Sequence, residues 1–152
     1  MASTYTNYTA RVLDGLQRIL AGEFGRKPPI VWGDQSERPG VEYLQLDVLA
    51  TRPTDVQGSR RGRIYVVAID YVYRFGQLPD YRRAKDVGEI VERTEQVLDD
   101  NAALFTVGGV YYWHRITLGD TEYAEATTEA DEADGYTRVR LQIEVHVDKL
   151  NP

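Results

Sequence analysis

The segment Arg63–Phe75 constrains this chain more than any other, because an extended strand there is apolar on both faces. At period two, Ile64, Val66, Ala68 and Val72 point one way, and Tyr65, Val67, Ile69, Tyr71, Tyr73 and Phe75 point the other. A strand dry on both sides belongs to a sheet covered on each face. Only two stretches of the chain carry helical periodicity, enough for one cover. The second cover is expected from a neighbouring subunit, and a tyrosine-rich face carrying Tyr65, Tyr71 and Tyr73 suits such an interface.

The first helical stretch is Tyr5–Ala21, where Val12, Leu13, Leu16, Ile19 and Leu20 form one stripe. Thr4 or Thr6 offers the N-cap oxygen, and Gly22 and Gly25 stop the run. The second is Tyr81–Asp99, with Asp80 as N-cap and Val87, Ile90, Val91, Thr94, Val97 and Leu98 on one side. Between them lie a short extended piece, Ile30–Trp32, and a strand, Val41–Ala50, with Leu44, Leu46 and Val48 on one face. An arm, Thr51–Gly62, separates that strand from Arg63–Phe75. Its length far exceeds the 2–5 residues usual in hairpins, and such loops tend to carry function. After the second helix, Val110–Leu118 reads as a strand that Thr121–Thr128 continues beyond a turn or bulge at Gly119–Asp120. An acidic loop, Glu129–Gly135, leads to Thr137–Val147. This last strand alternates without error, with Val139, Leu141, Ile143, Val145 and Val147 inward and Arg138, Arg140, Gln142, Glu144 and His146 outward.

These elements predict an α+β fold. A mixed, mainly antiparallel twisted sheet of four to five strands carries two amphipathic helices on one face, with a long arm between two strands. With 152 residues the chain is long enough to bury a substantial core, and it is read as a single domain over residues 1–152.

The chemistry-bearing residues are sparse. There is no cysteine, which removes thiol catalysis and cysteine-based zinc sites. His114 and His146 have no third partner at metal-ligand spacing. The three serines, Ser3, Ser36 and Ser59, lie outside any G-x-S-x-G context, and the glycine-rich phosphate motifs are absent. Asp70, central in the apolar strand, is the one acid placed like a catalytic carboxylate. A bond to an arginine or tyrosine of a neighbouring strand, or a place on the exposed part of its face, explains it better, since structural networks imitate active sites. No catalytic residue, metal or cofactor is expected, and the chain is read as a non-enzyme. Nor is a membrane partner expected, because no apolar stretch is long enough to span a bilayer and the opening residues lack the apolar core of a signal peptide.

Charge is unevenly placed. The net charge of −6 argues against a general nucleic-acid binder. Yet the arm and its end hold Arg52, Arg60, Arg61 and Arg63 against one acid, Asp55. They have no aromatic neighbour for base stacking, so a protein partner explains them as well as phosphate does. Asp120, Glu122, Glu125, Glu129, Asp131, Glu132 and Asp134 follow one another with no base between them. Segregation of this kind lets one patch meet a partner while the other repels something, although two solvated loops would read the same way.

The order of elements, the arm, the start VLDGLQRIL, the strand VVAIDYVYRF and the helix AKDVGEIVERTEQVL together resemble the tail terminator proteins of long-tailed bacteriophages. The resemblance covers nearly the whole chain and rests on no short diagnostic motif. It implies a structural virion protein whose hexameric ring caps the tail tube, ends its polymerisation and joins the tail to the neck beneath the head. The implied partners are copies of the chain, the tail tube protein and a connector or neck protein. DNA would pass through the lumen without specific binding. The implied location is the tail or neck of the virion, with assembly in the host cytoplasm. The arm (Arg52, Arg60, Arg61, Arg63) would then touch the tube or an adjacent subunit, and the acidic residues from Asp120 to Asp134 would line part of the lumen, where negative charge keeps phosphates off the wall. Another head-tail connector or stopper is the nearest alternative, and a small nucleic-acid-binding module a more distant one.

Overall fold

A computed structural model of the chain describes residues 7–33, 37–53, 62–76, 79–102, 104–105, 111–113 and 115–148. Arg60, Arg61 and His114 lie outside the described residues. The elements run α1 (Tyr8–Phe24), β1 (Ile30–Trp32), β2 (Glu42–Pro53), β3 (Gly62–Tyr73), α2 (Asp80–Asp100), β4 (Leu104–Phe105), β5 (Tyr111–Trp113), β6 (Arg115–Tyr123), α3 (Glu129–Ala133) and β7 (Thr137–Asp148).

Five strands form the main sheet in the order β1-β2-β3-β7-β6. Only the β1–β2 pair is parallel; β2–β3, β3–β7 and β7–β6 are antiparallel. The α+β expectation, with a mainly antiparallel sheet of five strands, therefore holds. The twelve residues of β3 pair with β7 without a break from Gly62↔Asp148 to Tyr73↔Thr137, which makes these two strands the spine of the sheet.

Several boundaries differ from the sequence expectation for local reasons. Helix α1 is capped by Asn7, whose side chain accepts the Ala10 N–H at 3.0 Å; Thr4 and Thr6, the expected caps, lie outside the described residues. It runs past Gly22 and ends at Gly25, where φ of +67° suits only glycine well. The stretch expected as one strand from Val110 is divided, with β5 pairing β4 in a small two-stranded ladder and β6 joining the main sheet. The expected acidic loop holds a short helix, α3, with Thr128 and Asp131 closing a capping box.

The core lies between α1, α2 and one sheet face. Val12, Leu16 and Leu20 from α1 and Val87, Val91 and Leu98 from α2 meet Leu44, Leu46, Tyr65, Val67, Ile69 and Tyr71, together with the inward row of β7 from Val139 to Val147. Each fully buried aliphatic side chain here contributes on the order of 1.5–3 kcal/mol relative to exposure. The tyrosine-bearing face of β3 is thus roofed by the chain's own helices. Tyr65 is 3% exposed, Tyr71 is 2% exposed and Tyr73 is half-buried beside them. This corrects the expectation that a second subunit covers that face, because two helical stripes side by side suffice to close it.

Candidate functional site

The opposite sheet face, the even-numbered side of β3 and β7, is polar at its centre and sealed by charge. Asp70 on β3 is fully buried and lies across from Arg140 in the β3–β7 register. Arg140 donates Nε to Asp70 Oδ1 and Nη2 to Oδ2, each at 2.9 Å. Arg138, 4% exposed, donates Nη1 to Asp70 Oδ2 at 2.8 Å, and its Nε and Nη2 reach Asp131 at 2.8 and 3.2 Å. Arg38, in the loop before β2, donates Nη1 to Asp131 Oδ1 at 2.8 Å and Nε to Asp134 Oδ2 at 3.1 Å. Three arginines and three carboxylates therefore close into a neutral lattice that fastens α3 and the Arg38 loop onto the sheet.

Tyr43, Val72 and Tyr136 form a small apolar cluster beside it. The Arg38 guanidinium stands 4.3 Å from the centre of the Tyr136 ring and that of Arg74 stands 5.2 Å away, while the Tyr136 hydroxyl donates to Gly40 O at 2.8 Å. Burial alone would raise the pKa of Asp131. Hydrogen bonds from Arg138, the Thr128 N–H and Arg38 outweigh it and hold the carboxyl well below the usual carboxylate range. For Arg138, burial works against the charged form, and Asp131 and Asp70 more than compensate, raising its pKa. Asp70 is thus held by structural ion pairs, as the sequence reading preferred over catalysis.

The acidic run divides accordingly. Asp131 is 1% exposed and neutralised, so it cannot line a lumen; this corrects its expected role. Asp134 pairs with Arg38 at the rim of the lattice. Asp120, Glu122, Glu125, Glu129 and Glu132 are exposed. Sequence reasoning missed Arg38 and misread Arg138 as outward. The signal available was the spacing Thr128-x-x-Asp131, a capping pattern that turns the acid toward the chain rather than away from it.

The arm begins where β2 leaves the covered part of the sheet. Leu49 to Pro53 are all exposed, and a register shift between Val48 and Ala50 turns the strand there. Arg52 lies on the polar face and pairs with Glu144 of β7. Arg63 lies on the other face, where its Nη2 donates to Thr51 Oγ1 at 2.9 Å. The two arginines at the root of the arm therefore point to opposite sides. On the polar face His146 is 7% exposed, with its Nε2 3.4 Å from Thr117 Oγ1 and from Arg115 Nη2 and 3.8 Å from Glu144.

Two concave surfaces lie near the β6 edge. One, of about 330 Å³, is lined by Tyr73, Arg83, Ala84, Val87, Gly88 and Tyr123. The other, of about 240 Å³ on the polar face, is lined by Asp120, Glu122, Arg140 and Gln142. Among the described residues no group of three or more His, Cys, Asp or Glu is placed to hold a metal ion, and no helix is long and apolar enough to cross a membrane.

No family model matches the chain, and no curated protein sequence matches it. Among solved structures, a chain from the virion of a native gene transfer agent particle is similar at a TM-score of 0.47 and 12% identity, over 90% of this chain and 91% of that one. A chain from the sheath/tube terminator of an extracellular contractile injection system in its extended state is similar at a TM-score of 0.42 and 10% identity. That likeness takes in all of this chain but 59% of the other. Likenesses this loose assign no function to the chain.

Proposed function

We propose that this chain is a structural subunit of a phage-type tail, a ring-forming terminator that caps the tail tube, stops its growth and joins the tail to the neck. The observation that carries the reading is the exposed end of β2 that leads into the arm. Leu49–Pro53 are all exposed there, while β3 opposite them stays paired to β7, and arginines stand at the root of the arm on both faces. A subunit that must grip a neighbour or a tube needs such an extension. The sequence resemblance, which matches the order of elements on either side of the hairpin, supplies the identity of the assembly. With the tyrosine face closed by the chain's own helices, the ring contacts fall to the arm, the β6 edge and the polar sheet face. A head-to-tail contact between unlike patches, closing after a fixed rotation, explains why growth stops. The exposed acids Asp120, Glu122, Glu125, Glu129 and Glu132 give an electronegative surface suited to a conduit from which DNA must not stick.

The test is electron microscopy of tail tube protein polymerised with and without the chain. Rings of about six copies at tube ends, with elongation halted, are the expected result. Tubes that elongate unchanged while the chain stays in solution would overturn the reading. Binding to neck assemblies with no effect on tube growth would favour the connector or stopper instead.

A further inference from the structure

Strand β6 ends the main sheet on one side. Among the described residues it pairs with β7 alone, so its outer side presents unpaired backbone. Such an edge can template a further strand, whose backbone supplies hydrogen bonds and whose alternate side chains meet the two sheet faces. The two faces of this edge differ in chemistry. Leu118, Thr121 and Tyr123 pair with Ile143, Leu141 and Val139 and so share the helix-covered face. Leu118 is 38% exposed there and Tyr123 55% exposed, two large apolar side chains left open along one strand. Beside Tyr123 lies the concavity of about 330 Å³ that Tyr73 and α2 complete. A Cβ on Gly88, in the α2 wall, would meet nothing within 4 Å, so the groove is open. Burial and the nearby charges of Glu95 and Glu92 raise the pKa of the Tyr123 hydroxyl, which stays neutral.

Glu122, one residue before Tyr123, turns to the polar face, where it and Asp120 line the concavity of about 240 Å³. Arg140, in the same lining, is committed to Asp70 through two hydrogen bonds at 2.9 Å, which leaves the acids to set the local sign. We propose that the β6 edge binds an extended segment of a partner protein by strand addition, one whose side chains alternate basic and apolar. The basic side chains meet Asp120 and Glu122 on the polar face. The apolar ones meet Leu118, Tyr123 and Tyr73 on the helix-covered face. Charge complementarity selects this occupant over the edge of a second copy. That edge carries one arginine, Arg115, against the same two acids, so two such edges set negative charge beside negative charge. The same acids, with the bulge at Gly119, hold off strands that do not match them. The site stands apart from the terminator reading, since it concerns what a single chain binds along one edge.

Two capped peptides of identical composition test the site on the full chain: KVKFKVK, which alternates, and KKKKVFV, which does not. KVKFKVK is expected to shift amide resonances of β6 and the facing wall of α2, and to slow hydrogen exchange along β6. KKKKVFV is expected to bind about tenfold more weakly, because equal charge without the alternation cannot serve both faces. Asp120→Lys with Glu122→Lys, both at exposed positions, is expected to weaken KVKFKVK about tenfold and to admit EVEFEVE in its place. Gly88→Leu fills the open wall of the groove without changing charge, and Tyr123→Ser removes its exposed ring; each is expected to weaken KVKFKVK about fivefold. Equal binding of the two lysine peptides, indifference to the charge reversal or to both groove variants, shifts centred away from β6, or no binding would overturn the proposal. Shifts along β6 that grow with protein concentration in the absence of peptide would make a second copy the occupant and overturn it too. Tail tubes that elongate unchanged, by contrast, would count against the terminator reading and leave peptide binding at β6 as expected.

Discussion

Asp70 on β3 and Arg138 on β7 meet at 2.8 Å with both side chains almost wholly removed from solvent, and Arg138 holds Asp131 of α3 with its remaining nitrogens. This guanidinium is the joint between the sheet and the segment that covers its polar face. The neutrality of the lattice is what permits three carboxylates and three arginines to gather beside an apolar cluster.

Removing the joint should therefore be costly. Arg138→Leu leaves Asp131 only Arg38 and the Thr128 N–H and leaves Asp70 only Arg140, so a loss of about 3–5 kcal/mol is expected in urea unfolding. A change below about 1 kcal/mol would mean that the lattice is not sealed in solution.

Acid should open the same lattice. The pKa of Asp131 is depressed in the folded chain relative to an unfolded value of about 3.9, so the unfolded state takes up protons first as pH falls. Its contribution is fully present above that unfolded value and is lost as pH drops toward the lower folded value. Thermal melts of the wild type should fall steeply below about pH 4, and Asp131→Asn, destabilised at neutral pH, should show a shallower acid slope. Parallel slopes for the two would contradict the assignment.

The tyrosines of β3 should act on the fold before they act on assembly. Tyr71 packs in the core, and its hydroxyl donates to Glu42. Burial and the Glu42 contact raise its pKa, so it remains neutral. Tyr71→Ser should cost about 3–5 kcal/mol in thermal or denaturant melting, in the range of large aromatic truncations. A variant that melts normally but no longer self-associates would restore the interface role that the structure removes.

Gly119 marks the bulge in β6. A Cβ there would come within 2.8 Å of the Gln142 carbonyl oxygen, so backbone must move to admit it. Gly119→Ala should destabilise the chain by about 1–3 kcal/mol and disturb the pocket that Gln142 helps to line. Hydrogen exchange at Leu118–Glu122 would report the change, and protection equal to wild type would count against it.

The elements readable in the sequence were those with a strict period. The row Val139–Val147 and the stripes Val12–Leu20 and Val87–Leu98 each lie on the face their spacing predicts. Periodicity records which residues share a face and is silent on what covers it. Tyr65, Tyr71 and Tyr73 were therefore assigned to a neighbour although two internal helices reach them. Arg138 and Asp131 failed for the complementary reason. A charged residue counts as outward in any hydropathy pattern, and only the meeting of distant segments, Arg38, Asp70 and α3, makes burial affordable. The position of Asp70 on an otherwise apolar strand was the one visible trace of that lattice.

The proposed terminator role requires copies of this chain to close into a ring. Native mass spectrometry across a range of protein and tube-subunit concentrations measures this most directly. The account predicts a closed species near six times the 17.3 kDa chain, with no open series of larger sizes and with its population falling as salt rises. A chain that remains at 17.3 kDa at every concentration, with tube subunits present, would contradict it.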